Sequence, residues 1–274
     1  MRPFSYHNHT VFCDGKNTVD EMVRSAIVHG CDAIGFSGHS IVASEPAYAM
    51  KVEDLPRYKS EVFAAREKYK DKITVLFGIE LDIESDMSVY VDDYDYKIGS
   101  VHHIRKNGVD YSIDASKERF GQLVDEAYEG DVYTFCEDYF RLLERVYEVT
   151  GCDIVGHIDL LTKFNENGEF FDENNERYVA AAEKAIKKLC RDGVIFEINT
   201  GAISRGYRST PYPSKRLLEI IKREGGKITY SSDCHAAEAI ICGYDDAVRL
   251  ATECGFDGFM KLIDGEFRLV RFED

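Results

Sequence analysis

Short apolar runs alternate with amphipathic stretches along the whole chain, and this alternation restricts the fold more than any other feature. Residues 4–9 read as a first strand. Thr18-Val-Asp-Glu21 has the form of a capping box and opens a helix reaching about Gly30. Residues 33–37 are the next strand. Residues 54–69 read as a helix, with Leu55, Tyr58, Val62 and Tyr69 on one stripe. Residues 73–77 form a buried strand running towards Glu80, and residues 96–101 another. A long helix is expected over 132–150, its apolar face made by Phe135, Tyr139, Leu142 and Val146. A short strand at 153–155 precedes a helix over 174–191 closed by Gly193. The strand at 194–198 is apolar except for Glu197. A helix follows at 214–224, with Ser214 as its cap and Gly225-Gly226 as its stop. A strand at 228–232, a helix at 245–254 and a final β segment complete the chain.

Strands this apolar must be covered on both faces, as in parallel sheets flanked by helices. The 44% hydrophobic content of 274 residues is enough for a full core, and five prolines leave no Pro/Ser-rich linker to divide it. One domain over 1–274 is therefore expected, folded as a single (β/α) barrel rather than an open doubly wound sheet. No Gly-rich phosphate loop follows the first strand, which argues against a nucleotide-binding fold.

With 50 acidic against 34 basic residues, the net charge of -16 repels nucleic-acid backbone and anionic membrane, and no Lys/Arg run offsets it. Neither is expected as a partner. An anionic substrate remains compatible if bound cations dominate the local field. The eight cysteines include no CxxC pair, and neither a signal-peptide core nor a bilayer-length apolar run is present. This predicts a cytoplasmic chain with reduced, structural thiols. No heptad or large apolar surface stripe assigns an oligomeric state.

Seven of the eight histidines fall at or just past the end of a predicted strand, where barrel active sites are built. His7-Asn8-His9 closes the first strand, and residues two apart in extended chain face the same way, so both imidazoles can reach one cation. Asp14 follows in a turn ending at Gly15. His39, Glu80, His102 with His103, and His157 end later strands. Asp233-Cys-His235 ends the strand at 228–232 with the spacing of His7 and His9. His29, at a helix end before Gly30, suits the helix dipole and receives no catalytic role. Each motif alone is weak; their shared position at strand ends points to a metal site. Imidazole with carboxylate suits Zn, Mn or Fe rather than Mg or Ca, and several carboxylates among many imidazoles imply more than one cation.

These residues resemble the PHP (polymerase and histidinol phosphatase) family. His7-x-His9-Thr10, the Asp14-Gly15 turn, His39, Glu80, His102, His157 and Asp233-x-His235 match its motifs in order along the whole chain. The resemblance implies a distorted (β/α)7 TIM-like barrel holding two or three divalent transition-metal ions. It places one ion with His7, His9, Glu80 and Asp233, a second with Glu80, His102 and His157, and a third with Asp14, His39 and His235. Some members carry a histidine in place of Asp14, which bears on the third ion. The finer match is to the family's histidinol-phosphatase branch, carried by Gly99-Ser-Val-His-His-Ile104, by Gly156-His-Ile-Asp-Leu-Leu-Thr-Lys-Phe164, and by Phe196-Glu-Ile-Asn-Thr-Gly201 with Arg205 and Pro211-Tyr-Pro-Ser214.

The expected reaction is hydrolysis of a small phosphorylated metabolite, with hydroxide generated between cations attacking phosphorus in line. Asp233 and His235 are the candidates to protonate the leaving oxygen. Lys163, Arg205 and Arg208 are candidates for the phosphate oxygens, since Arg grips them bidentately. Ser100 and His103 are candidates to line the pocket, although His103 points away from His102 if the strand continues. Glu197 is either a partner of a ligand histidine or of Arg205. Three rivals stand against this reading: a family exonuclease or nucleotide phosphoesterase, which needs a basic groove; a catalytically silent metal-binding regulator; and an amidohydrolase, which needs a strand-end lysine that is missing here.

Overall fold

The computed structural model describes residues 1–42, 47–90 and 93–273. Its strands are β1 (Phe4–Ser5), β2 (Ala33–Phe36), β3 (Thr74–Asp82), β4 (Tyr96–Ser100), β5 (His103–Lys106), β6 (Val109–Ser112), β7 (Ile154–Val155), β8 (Ile195–Asn199), β9 (Lys227–Ser231), β10 (Gly258–Ile263) and β11 (Glu266–Arg271). Seven of them pair in parallel in the order β1-β2-β3-β4-β7-β8-β9. β8 is buried at every position, as its apolar run requires.

The sheet closes through the segment that carries the first histidines. A parallel bridge joins Asn8 to Cys234. The His9 amide donates to the Cys234 carbonyl at 2.9 Å, and the Cys234 amide to the His7 carbonyl at 3.2 Å. Below this seam the Ser232 amide donates to Ser5 Oγ at 3.1 Å. The result is a nearly closed (β/α)7 barrel.

The helices are α1 (Val19–Val28), α2 (Leu55–Tyr69), α3 (Lys117–Tyr128), α4 (Val132–Leu143), α5 (Val146–Thr150), α6 (Glu176–Asp192), α7 (Gly201–Ser204), α8 (Lys215–Arg223) and α9 (Tyr244–Glu253). The capping box at Thr18 and Glu21 is formed as expected. Along α6, Tyr178, Ala182, Ala185, Ile186 and Leu189 make one buried stripe. Each large apolar side chain there stabilises the fold by roughly 1.5–3 kcal/mol. One apolar cluster packs α1 and α2 against β2 and β3; the other packs α3, α4, α6 and α8 against β4, β7, β8 and β9. Among the described residues no helix is long and apolar enough to cross a membrane.

Two local expectations are corrected, and one pair of elements is new. The strand expected over 4–9 leaves its ladder after Ser5, and Asn8 instead takes the Ser37 amide on one side and the Cys234 bridge on the other. The helix expected over 132–150 is two helices. The Arg145 amide bonds the Leu142 carbonyl three residues back and tightens the turn that ends α4. The β5–β6 hairpin and α3 were not anticipated, although Asn107-Gly108, both at positive φ, is the residue pair that a tight hairpin turn favours.

Candidate metal centre

β3 and the loops at one end of the barrel carry all nine expected ligands to one place. His7 and His9 follow β1, Asp14 lies in the next turn, and His39 follows β2. Glu80 lies on β3; His102 follows β4; His157 follows β7; Asp233 and His235 follow β9. Four overlapping groups keep their ligand atoms within 4.8 Å of one another: His9, Asp14, His39 and His235; His7, His9 and Asp233; His7, Glu80 and His157; and His39, Glu80 and His102. Local backbone demands make this possible. A Cβ at Gly15 would lie 2.4 Å from the Thr10 amide nitrogen, so the turn bearing Asp14 closes only with glycine. Asp233 sits at φ 45°, in the left-handed region. The chain is therefore not extended across Asp233-Cys-His235, and the two side chains enter different groups, unlike His7 and His9. Strain of this kind persists where the surroundings enforce it.

Glu80 is the hub. It is 1% exposed. Its carboxylate lies 3.2 Å from His7 Nε2, 2.8 Å from His39 Nδ1, 3.4 Å from His102 Nε2 and 3.1 Å from His157 Nε2. Burial opposes its ionisation, but His7, His39 and His102 outweigh burial and hold the carboxyl well below its ordinary range. Burial likewise opposes charge on His7 and His102, yet Glu197 and Glu80 beside His7, and Glu80 and Asp82 beside His102, hold both rings well above theirs. His9 differs: burial, with His235 and His39 nearby, lowers it to about 3, so it stays neutral. Asp233 is held well below the usual carboxylate range by Arg205 and His7 against burial.

The residues fit bound cations on a structural ground. His7 Nε2, His9 Nε2 and Glu80 Oε2 are buried without a hydrogen-bond partner and aim at one another across 3.2 and 3.9 Å. Buried polar atoms without partners are costly, and a cation taking the place of the His7 ring proton would give all three a partner. The outward-facing ring nitrogens are held as ligand histidines usually are. His7 Nδ1 lies 2.8 Å from Glu197 Oε1, and His102 Nδ1 lies 3.0 Å from Asp82 Oδ2.

Above the centre opens a cavity of about 240 Å³, lined, besides six of the ligands, by residues that include Tyr48, Asp114, Leu160, Lys163, Arg205 and Tyr207. Arg205 reaches Asp233 Oδ2 at 3.0 Å and His235 Nδ1 at 2.8 Å. It passes Gly201 so closely that a Cβ there would lie 2.8 Å from Nη2 and 2.6 Å from Asp233 Oδ2. Lys163 Nζ donates to the Asp114 carboxylate at 2.9 Å. Three expected substrate contacts lie elsewhere. The Ser100 hydroxyl is fully buried and donates to Glu80 at 2.7 Å, so it orients the hub. Arg208 donates to the Thr162 carbonyl and to Glu173, away from the cavity wall. His103 begins β5 and stacks on Tyr48, with ring centres 6.1 Å apart. Asp82 was missed, although it stands two residues from Glu80 on the same strand face. Tyr48, Asp114 and Tyr207 were missed because they come from loops that carry no motif.

The PHP domain profile matches residues 5–201. The chain belongs to the PHP family. Asp233 and His235 lie beyond the matched stretch, but full-length relatives extend over them. A Schizosaccharomyces pombe protein described as a probable histidinol-phosphatase is 27% identical over 96% of this chain and 90% of its own. A Lactococcus lactis histidinol-phosphatase is 28% identical over 93% of each. The solved histidinol phosphate phosphatase from Lactococcus lactis, complexed with zinc, L-histidinol and phosphate, superposes with a TM-score of 0.72 at 20% identity, over 97% of this chain and 98% of that one. At that identity it supports the PHP barrel fold.

Proposed function

We propose that this protein is a metal-dependent phosphomonoesterase that hydrolyses L-histidinol phosphate to L-histidinol and phosphate, a step of histidine biosynthesis. The observation that carries this reading is the convergence of nine imidazole and carboxylate ligands beneath a small cavity that also presents Arg205 and Lys163. The relatives named above supply the substrate. His7, His9, Asp14, His39, Glu80, His102, His157, Asp233 and His235 would hold divalent cations, which would supply Lewis-acid polarisation of a phosphoryl oxygen and a more acidic water.

The chain's own residues do the rest. Glu80 and Asp233, kept ionised, hold the centre together. Glu197 and Asp82 fix the rings of His7 and His102. The Arg205 guanidinium takes a non-bridging phosphate oxygen, orienting the ester for in-line displacement. Its grip on Asp233 makes that carboxyl a poor proton donor. Arg205 also donates to His235 Nδ1, so a His235 that offers Nε2 to a cation has no proton to pass, and neither candidate is favoured as the acid.

A cavity of about 240 Å³ in a protein of net charge -16 supports a small metabolite over nucleic acid. One sheet drawing strands from residue 4 to residue 231 supports a single domain. Eight free cysteines support a reducing, cytoplasmic setting. The test is phosphate release from histidinol phosphate by metal-loaded protein, beside nucleoside monophosphates and single-stranded DNA. Turnover on the order of 1 s⁻¹ or faster, lost on chelation and in Glu80→Ala, is expected. Preference for the nucleotide or the DNA would contradict the substrate.

A further inference from the structure

Six of the nine ligands line the cavity, and Arg205 and Lys163 add two cations to its wall. Divalent ions bound there would add further positive charge to the mouth. That field suits a phosphate but repels a substrate whose leaving alcohol carries an ammonium or imidazolium. One lining carboxylate stands outside the cluster: Asp114, in the loop after β6.

Asp114 is held rather than loose. Lys163 Nζ donates to its backbone carbonyl at 2.8 Å and to Oδ2 at 2.9 Å. The Lys163 side chain is itself 11% exposed and lies 5.0 Å from the centre of the Tyr207 ring. One lysine contact leaves Asp114 further acceptor capacity, and its side chain keeps 26% of its surface open. Burial opposes its charge, but Lys163, His102 and His157 outweigh burial and hold it ionised. Two aromatic faces, Tyr48 and Tyr207, line the same cavity, and such faces favour organic cations.

We propose that Asp114, fixed by Lys163, anchors the cationic group of the leaving alcohol and so selects phosphate esters of amino alcohols over neutral esters. The inference rests on the phosphatase reading and deepens it. Lys163 thereby serves mainly to orient Asp114, and Arg205 is the phosphate's main side-chain cation.

The experiment compares kcat/KM for histidinol phosphate and for p-nitrophenyl phosphate, in wild type and in Asp114→Asn. Loss of a charge-assisted hydrogen bond is expected to lower the histidinol phosphate to p-nitrophenyl phosphate ratio about 10–100-fold, chiefly through KM. An unchanged ratio, with both esters still hydrolysed, overturns the inference and leaves the phosphatase reading standing. A wild type that hydrolyses neither ester removes that reading and this one with it. A wild-type measurement guards against a misfolded variant: inhibition by L-histidinol against its counterpart lacking the amine. At least tenfold tighter inhibition by the amine is expected; equal inhibition overturns the ammonium anchor.

Discussion

Glu197→Gln is a near-isosteric change, and its consequence follows from hydrogen-bond polarity. Glu197 lies on β8 at 0% exposure and contributes no ligand atom to the cluster. One carboxylate oxygen lies 2.8 Å from His7 Nδ1. The other accepts from the His157 amide at 3.0 Å and from Asn199 Nδ2 at 2.8 Å. All three neighbours are met by acceptors, and glutamine has only one acceptor end. If its oxygen faces His7, its NH₂ meets two donors. If its NH₂ faces His7, Nδ1 must accept, the ring proton moves to Nε2, and the lone pair aimed at Glu80 disappears. Either way the His7 ligand is compromised. Loss of such an outer partner costs about 10–100-fold in metal affinity or activity, or about 1.4–2.7 kcal/mol. Metal affinity by chelator competition, with kcat/KM at saturating metal, measures it. A variant matching wild type within about twofold in both would refute the account of His7, since a neutral amide NH₂ only donates and cannot replace an acceptor at that atom.

Arg205→Ala is expected to raise KM for the phosphate ester about 10–100-fold, read by steady-state kinetics; an unchanged KM removes Arg205 from the phosphate site. Arg208→Ala, which breaks the contact with Glu173, is expected to lower stability by about 1–3 kcal/mol in thermal melts while KM stays put. Asp159 is 1% exposed, and burial, opposed by the Ser214 amide, raises its carboxyl from 3.8 to about 7. A group with a raised folded pKa favours folding below about pH 4 and loses that advantage as pH rises through about 7. Asp159→Asn should therefore leave stability near pH 4 little changed and increase it at pH 8 by up to about 4 kcal/mol. Denaturant melts at both pH values check this, and a loss at pH 8 would contradict it.

The convergence of these nine side chains was legible because its logic is one-dimensional. A parallel barrel strand announces its end by a drop in apolarity, and a histidine or acid just there has one place to point. His7, Glu80, His157 and Asp233 needed nothing more. Glu197 was visible as the one acid in an apolar strand, but its choice of His7 over Arg205 depended on side-chain packing. The irregular segments were less legible. The β5–β6 hairpin and α3 interrupt the βα alternation, so Asp114 had no strand end to mark it. Arg205 and Arg208 share a loop and a residue type, and only tertiary contact separates them: one meets Asp233, the other Glu173. Ser100 read as a pocket residue because its neighbours are; the direction of its hydroxyl towards Glu80 is a packing outcome.

The central claim is that the nine converging side chains hold divalent cations. Crystals grown with zinc or manganese, with anomalous difference maps collected at the metal edge, test it directly. Two or three peaks are expected within coordination distance of His7, His9, Asp14, His39, Glu80, His102, His157, Asp233 and His235, with Glu80 touching more than one of them. A fully active preparation whose metal peaks lie elsewhere, or which shows none, would contradict the account.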